Sequence, residues 1–69
     1  MLGNLMAEMA RSGVQANTIA QAIRKSERTV KDKVSGKYEF GIYEAFAIRD
    51  RFFPGMTLEY LFARDDRSA

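Results

Sequence analysis

Apolar residues recur along this chain at three- and four-residue spacing, and sustained alternation at period two is absent, so the pattern predicts helices throughout. Leu2, Leu5, Met6, Met9 and Ala10 share one face as far as Ser12, and Gly13 follows where a left-handed C-terminal cap belongs. A second, short helix at about 16–23 places Ile19, Ala20 and Ile23 on one face, with Arg24 and Lys25 closing it. Ser26 is an N-cap for a third helix at about 27–35, because its hydroxyl can accept from free amides of the next turn. Thr29, Val30 and Val34 follow inside that helix, and Gly36 ends it. After a loop at 37–41, Ala45, Ile48 and Phe52 mark a fourth helix flanked by Phe46 and Phe53, with Phe40 packing back on Ala45 as a staple. Pro54 and Gly55 break the pattern, and Thr57 caps a last short helix carrying Leu58, Leu61 and Phe62. The expected fold is all-α, a compact bundle of five helices in a single domain spanning 1–69, with a polar tail at 64–69 expected to fray.

Composition narrows the function classes. Sixty-nine residues hold one core. Without cysteine or histidine, no zinc finger, disulfide, transition-metal site or Cys/His catalytic pair can be written. No enzyme, metal or cofactor is therefore expected. Neither a membrane-length apolar run nor a signal-peptide pattern is present, which reads as a cytoplasmic chain. A core this small gains from pairing with a second copy.

The net charge of +2 conceals an uneven distribution. Residues 24–37 contain Arg24, Lys25, Arg28, Lys31, Lys33 and Lys37 against Glu27 and Asp32, a local excess of four positive charges. Such a patch suits a polyanion, although a solvated basic face has the same composition.

Within GVQANTIAQAIRKSERTVKDKVSGK (13–37), two short helices are joined by about three residues. A helix entering the major groove must stand proud of its domain, and a partner helix crossing behind a tight turn achieves this. Ala20 permits the close crossing, and Val30 points inward against Ile19 and Ile23. Glu27, Arg28, Lys31 and Asp32 are then expected outward, as donors to guanine or acceptors from cytosine. The bland alternative is a solvated face with i, i+4 pairs such as Glu27 with Lys31.

This stretch resembles the helix-turn-helix family of phage Cro and repressor proteins, the XRE family, in Ile19, Ala20, Ser26, Val30 and Ser35-Gly36-Lys37. Residues 4–9 (NLMAEM) and 53–62 (FPGMTLEYLF) resemble the flanking helices of short phage-encoded regulators from Gram-positive hosts. The resemblance implies a lambda-repressor-like fold and a transcriptional regulator binding double-stranded DNA as a homodimer. Base reading then falls to Ser26, Glu27, Arg28, Lys31 and Asp32, and phosphate binding to Gln15, Asn17, Arg24, Lys25, Lys37 and Tyr38. Two departures stand out. Arg24 occupies a turn position where members have glycine, so it either takes the left-handed backbone at a cost or makes a differently shaped turn. Ala16 replaces a phosphate-holding glutamine, a role left to Gln15 or Asn17. Phe53, Met56, Tyr60 and Phe62 are expected to form the dimer contact. The competing class is a protein-interaction module, an antitoxin or inhibitor, using the Phe and Met surface for a protein partner.

Overall fold

Three of the helices end alike: the amide two places past the last helical residue donates to a carbonyl five residues back. Val14 donates to Met9 O at 2.9 Å, Lys25 to Ala20 O at 2.9 Å and Lys37 to Asp32 O at 2.9 Å. The residue between must turn left-handed. Gly13 and Gly36 do so readily at φ 69° and 96°. At Gly36 the side-chain-free backbone is also needed for space, since a Cβ there would lie 2.5 Å from the Met1 nitrogen.

The computed structural model describes residues 1–65. They form α1 (Gly3–Ser12), α2 (Ala16–Ile23), α3 (Glu27–Ser35), α4 (Ile42–Phe52) and α5 (Leu58–Leu61). No strand occurs among the described residues. The all-helical class and the second and third helices are as the sequence pattern predicts. Ser26 and Thr57 cap α3 and α5, each accepting an amide three residues on at 3.1 Å. At the start of α4, Glu44 accepts from the Gly41 amide at 3.0 Å. Glycine has no side chain to return that bond, so this is half of a capping box.

Every helix contributes to one core, in which Leu5, Ile19, Val30, Ile48 and Leu61 are completely buried. Ala20 lets α2 and α3 pack closely, α4 rests on α2 and α5, and α1 lies against α5. The Cα radius of gyration, 10.9 Å, equals the value of about 11 Å expected for a folded chain of this length.

The beginning of the expected tail is docked. The Arg64 guanidinium donates to Gly36 O at 3.3 Å, and the Asp65 amide donates to Met1 O at 3.1 Å. Leu2 N in turn donates to Val34 O at 2.9 Å, so both ends of the described chain gather at the end of α3. Fraying is thus corrected for 64–65, where backbone and side-chain partners are available. The remaining tail positions, 66–69, lie outside the described residues.

Candidate nucleic-acid interface

α2 and α3 are joined by Arg24, Lys25 and Ser26 alone. Arg24 takes the left-handed backbone at φ 60° and ψ 45°, the single non-glycine residue with positive φ among those described. The turn therefore keeps the shape that glycine would give it, with an exposed guanidinium added. Ser26 next adopts an extended conformation, φ −78° and ψ 157°. Its Oγ accepts from the Thr29 amide at 3.1 Å and donates to Thr29 Oγ1 at 2.8 Å. The hydroxyl proton is thus committed to the cap, and Ser26 serves first to start α3.

Val30 and Val34 fix which side of α3 faces the core, at 0% and 8% exposure. With roughly 100° of rotation per residue, the opposite side carries Arg28, Asp32 and Ser35. Arg28 and Ser35 are exposed and Asp32 is half-buried. Lys31 stands about 80° from the inward direction, on the flank bordering α1. Lys31 and Glu27 are both exposed, as expected, but they share this flank, so their expected place with Arg28 and Asp32 on a single reading face is corrected. Lys31 lines a groove of about 290 Å³ with Met1, Met6, Met9, Ala16 and Val34. Its Nζ is 3.2 Å from Glu27 Oε2, the i, i+4 pair of an ordinary helix face.

Lys33 occupies the other flank and belongs to the scaffold. Its Nζ meets Glu44 Oε1 at 2.8 Å, with both side chains largely buried. Burial alone would raise the Glu44 carboxyl. The Lys33 hydrogen bond, the Gly41 amide and the charges of Lys33 and Lys25 outweigh it and hold the group below its ordinary value. One of the six basic residues in 24–37 is therefore used to tie α3 to α4. Arg24, Lys25, Arg28 and Lys37 form no ion pair among the described residues.

The residues expected at phosphates, Gln15, Asn17, Arg24, Lys25, Lys37 and Tyr38, are all exposed. Gln15 is the N-cap of α2 through its backbone, with no side-chain cap bond. Asn17 Oδ1 accepts from Gln21 Nε2 at 3.4 Å. The Lys37 ammonium lies 5.6 Å from the centre of the Tyr38 ring, so the two form one unit just beyond α3.

The expected dimer set is dispersed. Phe53 is 3% exposed and belongs to the core, which removes it from any contact with another chain. The chain leaves α4 at φ −138° there, and the ring joins Ile48 and Leu61 in the core cluster. Met56 and Phe62 are partly buried against the same core. Tyr60 donates its hydroxyl to Glu8 Oε2 at 2.7 Å. That bond, with desolvation and the Glu8 charge, raises the Tyr60 hydroxyl above its ordinary value.

Glu8 is a charged type that sequence pattern assigns to solvent, yet it lies three residues after Leu5 on the apolar face of α1. It is 3% exposed, and its second oxygen has only Arg11 Nε at 3.7 Å. Asn4 Nδ2 adds a bond to Tyr60 O at 2.8 Å, so α1 and α5 are joined by polar contacts beside the core.

No family model, curated protein or solved structure matches the chain. No helix among the described residues is long and apolar enough to cross a membrane.

Proposed function

We propose that this chain is a sequence-specific regulator of transcription, of phage or prophage repressor type. In this reading it is a non-enzymatic homodimer that binds double-stranded DNA through a helix-turn-helix formed by α2 and α3. One arrangement supports the proposal above others: a short helix is capped by Ser26, locked inward by Val30, and turns Arg28 to solvent beside Arg24 and Lys25. A helix held in that way can enter a groove about 12 Å wide without rearrangement. Arg28 donates to guanine O6 and N7, and Asp32, on the same side of α3, accepts from cytosine N4. Lys25 and Lys37, with Arg24 and Tyr38, supply charge and hydrogen bonds to the phosphate strands on either side. Gln15 and Asn17 reach the backbone at the start of α2. Lys31 contributes at the flank after parting from Glu27.

The test is selection of bound sequences from a random duplex library, followed by titration of the selected duplex against a scrambled one. A reproducible motif, bound at least a hundredfold more tightly than the scrambled duplex, supports the reading. Uniform binding to all duplexes, or none, overturns it.

A protein-interaction module is favoured by a different observation, the exposed apolar side chains on and just before α4. Under that reading the full-length protein captures a protein partner and shows no preference among duplexes.

A further inference from the structure

Four large apolar side chains stand exposed within a nine-residue stretch: Tyr38 at 56%, Ile42 at 57%, Tyr43 at 82% and Phe46 at 37%. Tyr43 and Phe46 pack edge to face with ring centres 6.3 Å apart and form one uncovered patch, whereas Tyr38 and Ile42 border a separate cavity beside Phe40. The geometry of α4 explains what can cover the patch. Ala45 and Ile48 are buried and Phe52 is partly buried, which defines the inward side of α4. At about 100° per residue, Tyr43, Phe46, Ala47 and Asp50 form the stripe on the opposite side.

That stripe is complementary to itself. Tyr43 and Asp50 are seven positions apart, nearly two full turns, and therefore share almost the same direction around the helix. A two-fold axis passing between Phe46 and Ala47 places Tyr43 of one chain beside Asp50 of the other, and the reverse. At the centre, Phe46 of each chain meets Ala47 of its partner, large against small. At each end a phenol hydroxyl faces the Asp50 carboxylate, which is 67% accessible although its Oδ1 already accepts from Arg49 Nε of its own chain at 2.6 Å. Parallel pairing would instead set Asp50 against Asp50.

We infer that the outward face of α4 is the self-association surface of this protein, used by two copies packed antiparallel through Tyr43, Phe46, Ala47 and Asp50. This deepens the homodimer of the proposed function and relocates it from the α5 region. The face is one eleven-residue helix long, at the small end of protein interfaces, so the dimer is weak and concentration-dependent. On DNA, two half-sites would hold the copies together by mass action.

The experiment uses the full chain without DNA, so its outcome is independent of whether the protein reads a sequence. Molar mass is measured by sedimentation equilibrium from low to high micromolar concentration. The expected result is a rise from the 7.8 kDa of one chain towards twice that mass. Tyr43→Glu, which faces Asp50 of the partner, should remain monomeric with the helical circular dichroism unchanged, because residue 43 is exposed. Tyr43→Glu combined with Asp50→Lys should restore the rise by forming the reciprocal ion pair, whereas Asp50→Lys combined with Tyr43→Lys should not. Met56→Ala, outside the face, should associate like the natural sequence. A mass of one chain at every concentration overturns the inference. So does association that survives Tyr43→Glu, that is lost in Met56→Ala, or that fails to return in the Glu/Lys pair.

Discussion

Lys33 Nζ lies 2.8 Å from Glu44 Oε1, and this contact joins the helix proposed to read DNA to the helix behind it. Both side chains are mostly withdrawn from solvent, so removing one partner leaves the other charge poorly solvated. Lys33→Met should destabilise by about 1 to 3 kcal/mol, between the values for exposed and fully buried pairs. Chemical denaturation of the two proteins measures the difference.

The same contact predicts a pH dependence. The folded state holds the Glu44 carboxyl below its ordinary value, so the unfolded chain binds the proton more readily. The contribution of Glu44 is therefore complete above the unfolded value of about 4.3. It is lost as pH falls below that and through the lowered folded value. Glu44→Gln should flatten this part of the stability profile while leaving the profile above pH 6 parallel to that of the natural sequence. An unchanged acid limb would show that the carboxyl is not held low.

Much of the architecture was legible because hydrophobic period and capping chemistry agree. Ser26 followed by Thr29, Val30 and Val34 fixed both the start and the inward side of α3, and its bounds came out as expected. The polar interior was less legible. Glu8 and Lys33 are charged types, ordinarily assigned to solvent, and only the tertiary partners Tyr60 and Glu44 give them reason to be buried. Phe52 and Phe53 are adjacent just before a proline, so periodicity alone does not decide which ring enters the core. In the fold both pack inward, and Phe53 more completely. The two valines span an arc of α3 rather than a single direction, and their midpoint leaves Lys31 on the flank, which one inward residue alone does not reveal.

Val30 provides a direct check of the α2–α3 packing. It is completely buried in the core cluster that contains Ile19 and Ala20. Val30→Ala should cost roughly 1 to 3 kcal/mol, read as a lower Tm with helical structure retained below the transition. A Tm equal to that of the natural sequence would contradict the inward placement of Val30.

Arg24 separates fold from function at one position. A left-handed L-residue costs roughly 1 to 2 kcal/mol, partly offset in glycine by the greater freedom of the unfolded chain. Arg24→Gly should therefore raise the Tm while removing a charge proposed to meet phosphate. Stability and DNA affinity should move in opposite directions, and the decline of log affinity with log salt should become shallower by about 0.9. A lower Tm would mean that the arginine side chain contributes more to the turn than its backbone costs.

The final prediction distinguishes reading from positioning. Arg28 is exposed on the side of α3 opposite Val30 and Val34, whereas Lys25 and Lys37 lie before and after the helix. Inserted in a major groove, α3 directs Arg28 at base edges and leaves the flanking lysines to the phosphate strands. Arg28→Ala should therefore cost about 1 to 3 kcal/mol on the selected duplex and relax preference at one or two base pairs, with less effect on a scrambled duplex. Lys25→Ala and Lys37→Ala should weaken both duplexes by similar factors and each reduce the salt slope by about one. Lys31 gives an intermediate case, because its flank position and its pairing with Glu27 remove it from the centre of the reading face. Its replacement should change the specificity ratio less than that of Arg28. Titrating each variant against both duplexes across a salt series supplies the ratio and the slope together. If Lys37→Ala alters the ratio while Arg28→Ala leaves it intact, α3 is not the element that reads the sequence.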